Sequence, residues 1–343
     1  MNAAEECETS NLLLAGDIGA TKTNLAVFPE SGPHRTPLVE ATFHSHNYPG
    51  LEAMVTEFLS QIEMTVDRAS FGVAGPVISG RAAITNLPWV LEERRLQEKL
   101  AVTSVTLLND LEAIAAGVPF LEPEDLFILN RGKPVADGPK VIVAPGTGLG
   151  EAYLTWDGAR YLAHASEGGH TDFGPDSPEQ SELLAFMRKR FDHVSYERVC
   201  SGQGIPHIYA FYKASGRYSE PEPLANQIKR AEDPTPIIIG HALDTDSPYE
   251  ICRAVLKMFI SILGAEAGNL ALKMLATGGV LLGGGIPPRI LSALKRDWFL
   301  TAFKRKGRMS PILTDIPVSV ITSSKAALMG AAHIGSTRAK EQS

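Results

Sequence analysis

The sequence predicts an α/β protein of two lobes, and three observations carry that expectation. Apolar runs of strand length alternate with segments whose apolar residues recur at helical spacing. A pattern of apolar strand, Gly/Thr-rich turn and second apolar strand occurs in NLLLAGDIGATKTNLAVF and again in KVIVAPGTGLGEAYLTW. Such weak internal repetition suggests two related halves. The chain has 343 residues, enough for two domains. No segment reads as a clean linker, so the chain is expected to cross between the lobes more than once.

The elements follow in order. Residues 12–15 and 25–28 read as buried strands around a polar turn at 16–23, a hairpin pattern. GLEAMVTEFLSQI places apolar residues at 51, 54, 55, 58, 59 and 62, a helical period. RASFGVAGP and SVTLLND read as further buried strands, with a helix expected between them at 88–100. After the second strand–turn–strand, helices are expected near 179–191, 204–215 and 222–231. A long helix follows at 248–276, with Ser247 as N-cap, Pro248 at N1 and Glu250 at N3, a capping box. GGVLLGGGIPPRI reads as strand, glycine turn and helix, with Pro287 near the helix's first turn. PVSVIT and a helix from Lys325 close the chain. The Pro- and charge-rich stretch 216–236 is expected at the surface.

Composition narrows the function classes. Apolar residues make up 44% and charged residues 21%, which disfavours disorder and membrane classes. The net charge is −7 and no long Lys/Arg run occurs, so nucleic acid is not an expected partner. The cysteines Cys7, Cys200 and Cys252 are far apart and form no CxxC or Cys/His zinc spacing. That pattern, and an acidic N-terminus unlike a signal peptide, fit a cytoplasmic protein without disulfides. The most apolar long segment, 251–275, carries Arg253, Lys257, Glu266 and Lys273, which argues against a membrane span.

Two Gly/Thr turns follow buried strands. One holds Asp17, Gly19, Thr21, Lys22 and Thr23; the other holds Gly146, Thr147, Gly148 and Gly150. Glycines let backbone N–H groups approach an anion, and Thr hydroxyls add donors. Neither turn is a Walker A loop or a full dinucleotide-binding fingerprint. Each alone reads as a plain hairpin turn. Two at corresponding places, with a third glycine turn at Gly283, Gly284 and Gly285, point instead to phosphate binding. An acid beside a phosphate loop repels phosphates unless Mg²⁺ lies between, which makes Asp17 a candidate metal partner.

Asn109 and Asp110 fall where an apolar strand ends and a helix begins. One reading is a helix cap. The other is a carboxylate facing a substrate hydroxyl, and both can hold at once. EGGHTDFGP, residues 167–175, lacks the second histidine and helical spacing of a zinc signature. In isolation it reads as a turn, or as a site for a polyhydroxyl ligand, since Glu accepts and neutral His both donates and accepts.

GDIGATKTNLAVF, the Asn109-Asp110 pair, APGTGLG, EGGHTDF, SYERVCSG and LLGGGIPPRI occur in that order. The set resembles the bacterial glucokinase family of the hexokinase–actin–Hsp70 superfamily, over about residues 11–335. The resemblance implies an actin-like ATPase (ribonuclease H-like) fold, with a cleft between a smaller lobe (1–120 with 322–343) and a larger one (121–321). It implies ATP-dependent phosphorylation of glucose with Mg²⁺. Asp110 would be the catalytic base, and Asn109, Glu167, His170 and Glu197 would bind sugar hydroxyls. The turns at Asp17–Thr23 and Gly146–Gly150 would flank the ATP phosphates, and Gly283–Gly285 would lie against the adenosine. It also leaves room for a homodimer.

Other readings stay beside these. Ser195 could cap a helix that carries Glu197 in its first turn. Asn86 is either near the sugar or a loop-fixing amide, and Asp172 has no assigned role. Ala20 stands where the family usually has glycine; it would hinder nucleotide binding if that position needed φ > 0. The rival functions are kinases of mannose, fructose or N-acetylhexosamine and a non-catalytic sugar sensor. Against them stand the lack of a Cys-rich zinc motif, the few residues before the first strand, and the presence of both Asp17 and Asp110.

Overall fold

The computed structural model describes residues 11–341 except 31, 33 and 85; Cys7 and the acidic N-terminal run up to residue 10 lie outside them. The chain divides into two compact units. One takes the residues up to Glu122 and those from Ser323; the other is Pro123–Thr322.

The first unit opens with β1 (Leu12–Ile18), β2 (Lys22–Pro29), β3 (Val39–His44), α1 (Leu51–Ile62) and β4 (Arg68–Val73). It continues with β5 (Arg81–Ala83), β6 (Val90–Glu92), α2 (Glu93–Leu100), β7 (Ser104–Asn109) and α3 (Asp110–Gly117). The second unit holds β8 (Leu126–Asn130), β9 (Lys140–Pro145), β10 (Leu149–Trp156) and β11 (Tyr161–Ser166). Then come α4 (Pro178–Met187), α5 (Gly204–Ser215), α6 (Glu222–Arg230), α7 (Thr235–Leu243) and α8 (Glu250–Met274). It ends with β12 (Gly279–Leu282), α9 (Leu291–Leu294), α10 (Asp297–Lys304), α11 (Ser310–Asp315) and β13 (Val318–Ile321). The last helix, α12 (Ala326–Glu341), belongs to the first unit.

The first unit's sheet has the order β3-β2-β1-β4-β7. β1, β2 and β3 pair antiparallel, whereas β1, β4 and β7 run parallel. Both faces of β1 are covered. Leu14 and Ile18 pack with Val55 and Phe58 of α1, while Leu13 and Ala15 pack with Leu328 and Ala331 of α12. This is why β1 reads as a continuous apolar run rather than an alternating one. α3 and α12 touch closely because glycines face each other's backbone. A Cβ on Gly330 would collide with the Ala113 carbonyl, and one on Gly117 with that of Ala326.

The second unit's sheet, β11-β10-β9-β12-β13-β8, repeats the plan. β9, β10 and β11 are antiparallel and β9, β12 and β13 parallel, with β8 added antiparallel at the far edge. Buried α8 is the spine of this unit. Gly264 and Gly268 let the backbone of α10 approach it, since a Cβ on Gly268 would lie 2.6 Å from the Phe303 carbonyl oxygen. α8 is long and apolar enough to cross a membrane, yet it is mostly buried within its own unit.

Three sequence expectations need correction. The segment 88–100 is not one helix. Trp89 and Leu91 are buried around exposed Val90, a period of two that makes β6, and α2 starts only at Glu93. The capping box at 247–250 does not form. The N-cap of α8 is Tyr249 without a side-chain cap, and the Ser247 hydroxyl is engaged by His241 Nδ1 at 3.3 Å. The Pro-rich stretch ending at 236 is not all surface. Leu224 is fully buried, and Thr235 is largely buried, its hydroxyl donating to the Gly202 carbonyl at 2.8 Å.

Candidate active site

In the first unit the sequence places two acids at the carboxyl ends of parallel strands, where open α/β sheets bind their ligands. Asp17 stands at the end of β1 and Asp110 just past the end of β7, with β4 between them. Two strand spacings set them about 10 Å apart.

The first turn is tighter than the predicted 16–23 segment. Asp17 lies in β1 opposite Asn24 of β2, and only Gly19–Thr21 turn. Gly19 donates its N–H to the Lys22 carbonyl at 3.0 Å, and a Cβ there would come within 2.8 Å of that oxygen. Ala20 has no positive φ, so alanine fits its backbone without strain. Thr23 is fully buried, its hydroxyl 3.0 Å from that of Ser45, which in turn donates to the Gly19 carbonyl at 2.7 Å. Its side chain therefore braces the turn from below, and Thr21 and Lys22 are the exposed residues. Asp17 is half-buried, and desolvation raises its pKa, opposed by the 3.4 Å hydrogen bond from Asn24. A desolvated single carboxylate suits a hard cation that brings its remaining oxygen ligands from phosphates and water. No cluster of three or more His, Cys, Asp or Glu among the described residues offers an all-protein metal cage.

Asn109 is the N-cap of α3. Its side-chain oxygen accepts from the N–H groups of Leu111 and Glu112, and its amide donates to the Gly75 carbonyl at 3.1 Å. Asp110, half-buried in the first helical turn, accepts from the Leu111 N–H at 2.9 Å. Cap and acid are thus separate residues, as the dual reading of this junction allows. The helix N-terminus also favours the ionised carboxylate. Asn86 lies exposed between β5 and β6 with φ 64°, a left-handed conformation that asparagine tolerates.

In the second unit Gly146–Gly148 join β9 to β10, while Gly150 lies inside β10 opposite Ala144. Glu167 leads a single 3₁₀ turn, Gly168–His170, and His170 Nε2 lies 3.7 Å from its carboxylate. Both side chains are more than half exposed. The glycines between them are dictated by packing. A Cβ on Gly169 would strike the Leu149 carbonyl, and one on Gly168 the Glu151 carboxyl.

Glu197 is not in a helix. Ser195 instead bridges to Asp172, and the Glu197 N–H donates to the Gly169 carbonyl at 2.9 Å. Its Oε2 accepts from the Leu149 N–H at 3.0 Å, over Gly148, where a side chain would block it. Glu167, His170 and Glu197 therefore gather beside the second glycine turn. Asp172 is exposed and contacts His193 at 2.9 Å.

Beside the same turn is a cavity of ≈ 770 Å³ lined by Gly146, Thr147, Gly202, Gln203, Thr235 and Gly285. Ile239, Leu243 and Ile286 give it an apolar wall, and Asp233 and Arg289 also line it. The size and the apolar wall with polar groups at one side suit a nucleoside. Gly284, at φ +77°, brings the third glycine turn against the Pro145 carbonyl, which a Cβ would approach to 2.6 Å. Sequence reading missed Gln203, Asp233, Thr235, Ile239 and Arg289. The one signal for them was the Gly-x-Gly at 202–204 directly after SYERVCS.

Residues 14–338 match the glucokinase family model. A glucokinase of Nostoc punctiforme is 38% identical over 337 residues, covering 94% of this chain and 98% of the relative. The crystal structure of a glucokinase from an Antarctic psychrotroph superposes with a TM-score of 0.81 at 30% identity, covering 95% of this chain and 99% of that one. A Balamuthia mandrillaris glucokinase solved in complex with glucose shares the fold at TM-score 0.76 and 22% identity, covering 97% of this chain and 96% of its own. With two repeated α/β units, acids at their strand ends and glycine turns in the family's order, the chain belongs to the glucokinase family.

Proposed function

We propose that the glucokinase reaction is divided among the residues gathered above. The chain is an ATP-dependent kinase that phosphorylates D-glucose at its 6-hydroxyl, giving glucose 6-phosphate and ADP. The observation that carries this is the match to glucokinases along almost the whole chain, a relative at 38% identity among them. In the proposed division, Glu167, His170, Glu197 and Asn109 take sugar hydroxyls. A carboxylate accepts from two hydroxyls and a neutral imidazole both donates and accepts, which suits a polyol ring. The arrangement of the first three beside Gly148 supports that reading. The ≈ 770 Å³ cavity takes the nucleoside of ATP, and the glycine turns at Gly19–Thr21 and Gly146–Gly148 are assigned to its phosphates.

Asp110 accepts a hydrogen bond from the glucose 6-hydroxyl and orients it toward the γ-phosphorus. An ordinary carboxylate, with a pKa of about 4, cannot ionise an alcohol in advance. The proton therefore moves to Asp110 late, as the O6–P bond forms and the bond from phosphorus to the β–γ bridging oxygen breaks. ADP leaves with that oxygen. Mg²⁺ bound with the nucleotide would supply positive charge to offset that of the phosphates, and Asp17 would hold it, directly or through water. The work belongs to a cytoplasmic enzyme.

Initial rates of ADP formation with MgATP and glucose, mannose, fructose or N-acetylglucosamine test the substrate assignment. A kcat/KM for glucose far above the others is expected. Preferred turnover of another hexose would reassign the substrate while leaving Asp110 its role.

A further inference from the structure

Two glutamates that the reaction does not use lie in contact beneath the glucose loop. Glu151 on β10 is 1% exposed and Glu266 on α8 fully buried. The two carboxyl groups act on each other, the charge of Glu266 raising the pKa of Glu151, and in each group the buried Oε1 has no hydrogen-bond partner. The cations near the pair, Lys273 and Lys306, lie toward Glu266. From α8, Lys273 Nζ lies 4.0 Å from Glu266 Oε1, and Asn269 donates to Glu266 Oε2 at 2.9 Å. Beyond α10, Lys306 is turned to Asn269 Oδ1 at 2.6 Å and the Ala265 carbonyl at 2.9 Å, and the adjacent Arg305 is paired with Asp176. From the segment that carries Glu197, Tyr196 and Cys200 face the pair, and both are held neutral by burial and by its charge. Lys273 and, more remotely, Lys306 act on Glu266, but neither forms an ion pair with Glu151, and a proton held between the two carboxyls resolves the contact.

The pair also touches the glucose loop. The Glu151 carboxyl fills the space that a side chain on Gly168 would need, directly under the turn that presents Glu167 and His170. Asn269 links Glu266 to the Tyr196 hydroxyl at 2.9 Å, and Tyr196 precedes Glu197 in the chain.

We propose that Glu151 and Glu266 are positioning residues of the glucose site, holding one proton between them that keeps the Gly168–His170 turn and Glu197 in place. When that proton leaves, two like charges meet in the core and Glu151 is driven against Gly168. The loss falls in an accessible range, because burial first and then the charge of Glu266 push Glu151 up to about 8, with Lys273 opposing. The inference rests on reading Glu167 and His170 as glucose ligands.

The test is the pH profile of the full-length enzyme from about pH 6.5 to about 9.5, for wild type, Glu151→Gln and Glu266→Gln. If glucose binding needs the shared proton, the glucose KM rises up to about tenfold per pH unit above the pair's titration. The KM for ATP stays level, since its cavity is lined by other residues. A glutamine amide donates to the remaining carboxylate at any pH, so both variants keep a low glucose KM throughout. Infrared spectra at neutral pH show a protonated-carboxyl band in wild type that is missing from Glu151→Gln. A level wild-type glucose KM, an alkaline rise that persists in Glu151→Gln, or no such band overturns the proposal. Glu167→Gln with an unchanged glucose KM at pH 7 removes the ligand reading itself and this inference with it. A raised KM there with a level wild-type profile sinks the pair alone.

Discussion

Asp110 and Asn109 sit side by side, yet the helix cap belongs to Asn109, whose side chain takes the N–H groups of Leu111 and Glu112. That separation makes a clean experiment. Asp110→Ala is expected to lose kcat on the order of 10²-fold or more while its denaturant midpoint stays near wild type. Near-normal turnover would take Asp110 out of the mechanism. Asn109→Ala is expected to lose about 1 kcal/mol of stability through the cap. Glu167 is exposed, with His170 3.7 Å away, so Glu167→Gln should fold normally. Losing a charged acceptor is expected to raise the glucose KM roughly tenfold or more and leave the ATP KM near wild type. Equal effects on both would make the residue structural. Asn109 and Asp110 were legible in the sequence as polar residues stranded at the end of an apolar run, and Glu167 and His170 as a polar pair around two glycines within the motifs that carry the resemblance. Glu151 and Glu266 were not: a single letter does not reveal burial, and Glu266 read only as a charge against a membrane span.

At the scale of elements, glycine contacts hold α3, and with it Asp110, in place. α12 presents Gly330 to the Ala113 carbonyl, and β4 presents Gly72 to the Ala113 methyl, which a Cβ would approach to 2.8 Å. Gly330→Ala puts a methyl where α3's backbone already lies. Overpacking of that kind costs about 1–3 kcal/mol, so the midpoint of denaturant unfolding is expected to fall with an unchanged slope. The same variant is expected to lower kcat, because relief of the clash moves α3 at its Asp110 end. Full stability would mean that the helices slide apart without consequence. The strong periodic elements, β1, α1, β7 and α8, were legible. Element ends were not. Pro248 suggested a first helical residue, but Ser247 is taken by His241, a partner set by the tertiary fold. The edge strands β3, β8 and β11 were missed, since half-buried edges lack the apolar run that marks the central strands.

At the scale of the whole molecule, the repeat in the sequence corresponds to two sheets of like plan, each with three antiparallel strands followed by parallel ones. Adjacent strands announced this, whereas the pairing of β9 with β12 joins residues far apart in the chain and leaves no local mark. Global stability should likewise report a group that no local pattern shows. Glu151 lies between β10 and α8 in the largest core, so it is relieved only when that core opens. In the unfolded chain it titrates near its ordinary 4.5, and in the folded protein near 8. Between those values the folded state holds a proton that the unfolded state has released. Its contribution to stability is therefore complete below pH 4.5 and is lost as pH rises through about 8. Other groups titrate too, but Glu151→Gln removes this one and leaves the rest. The Tm of wild type minus that of Glu151→Gln, measured by calorimetry across the same range, is expected to fall steadily with pH and level off above about 8. Parallel Tm curves for the two proteins would mean that Glu151 is ionised in the fold, leaving its contact with Glu266 to be balanced by Lys273 and Lys306.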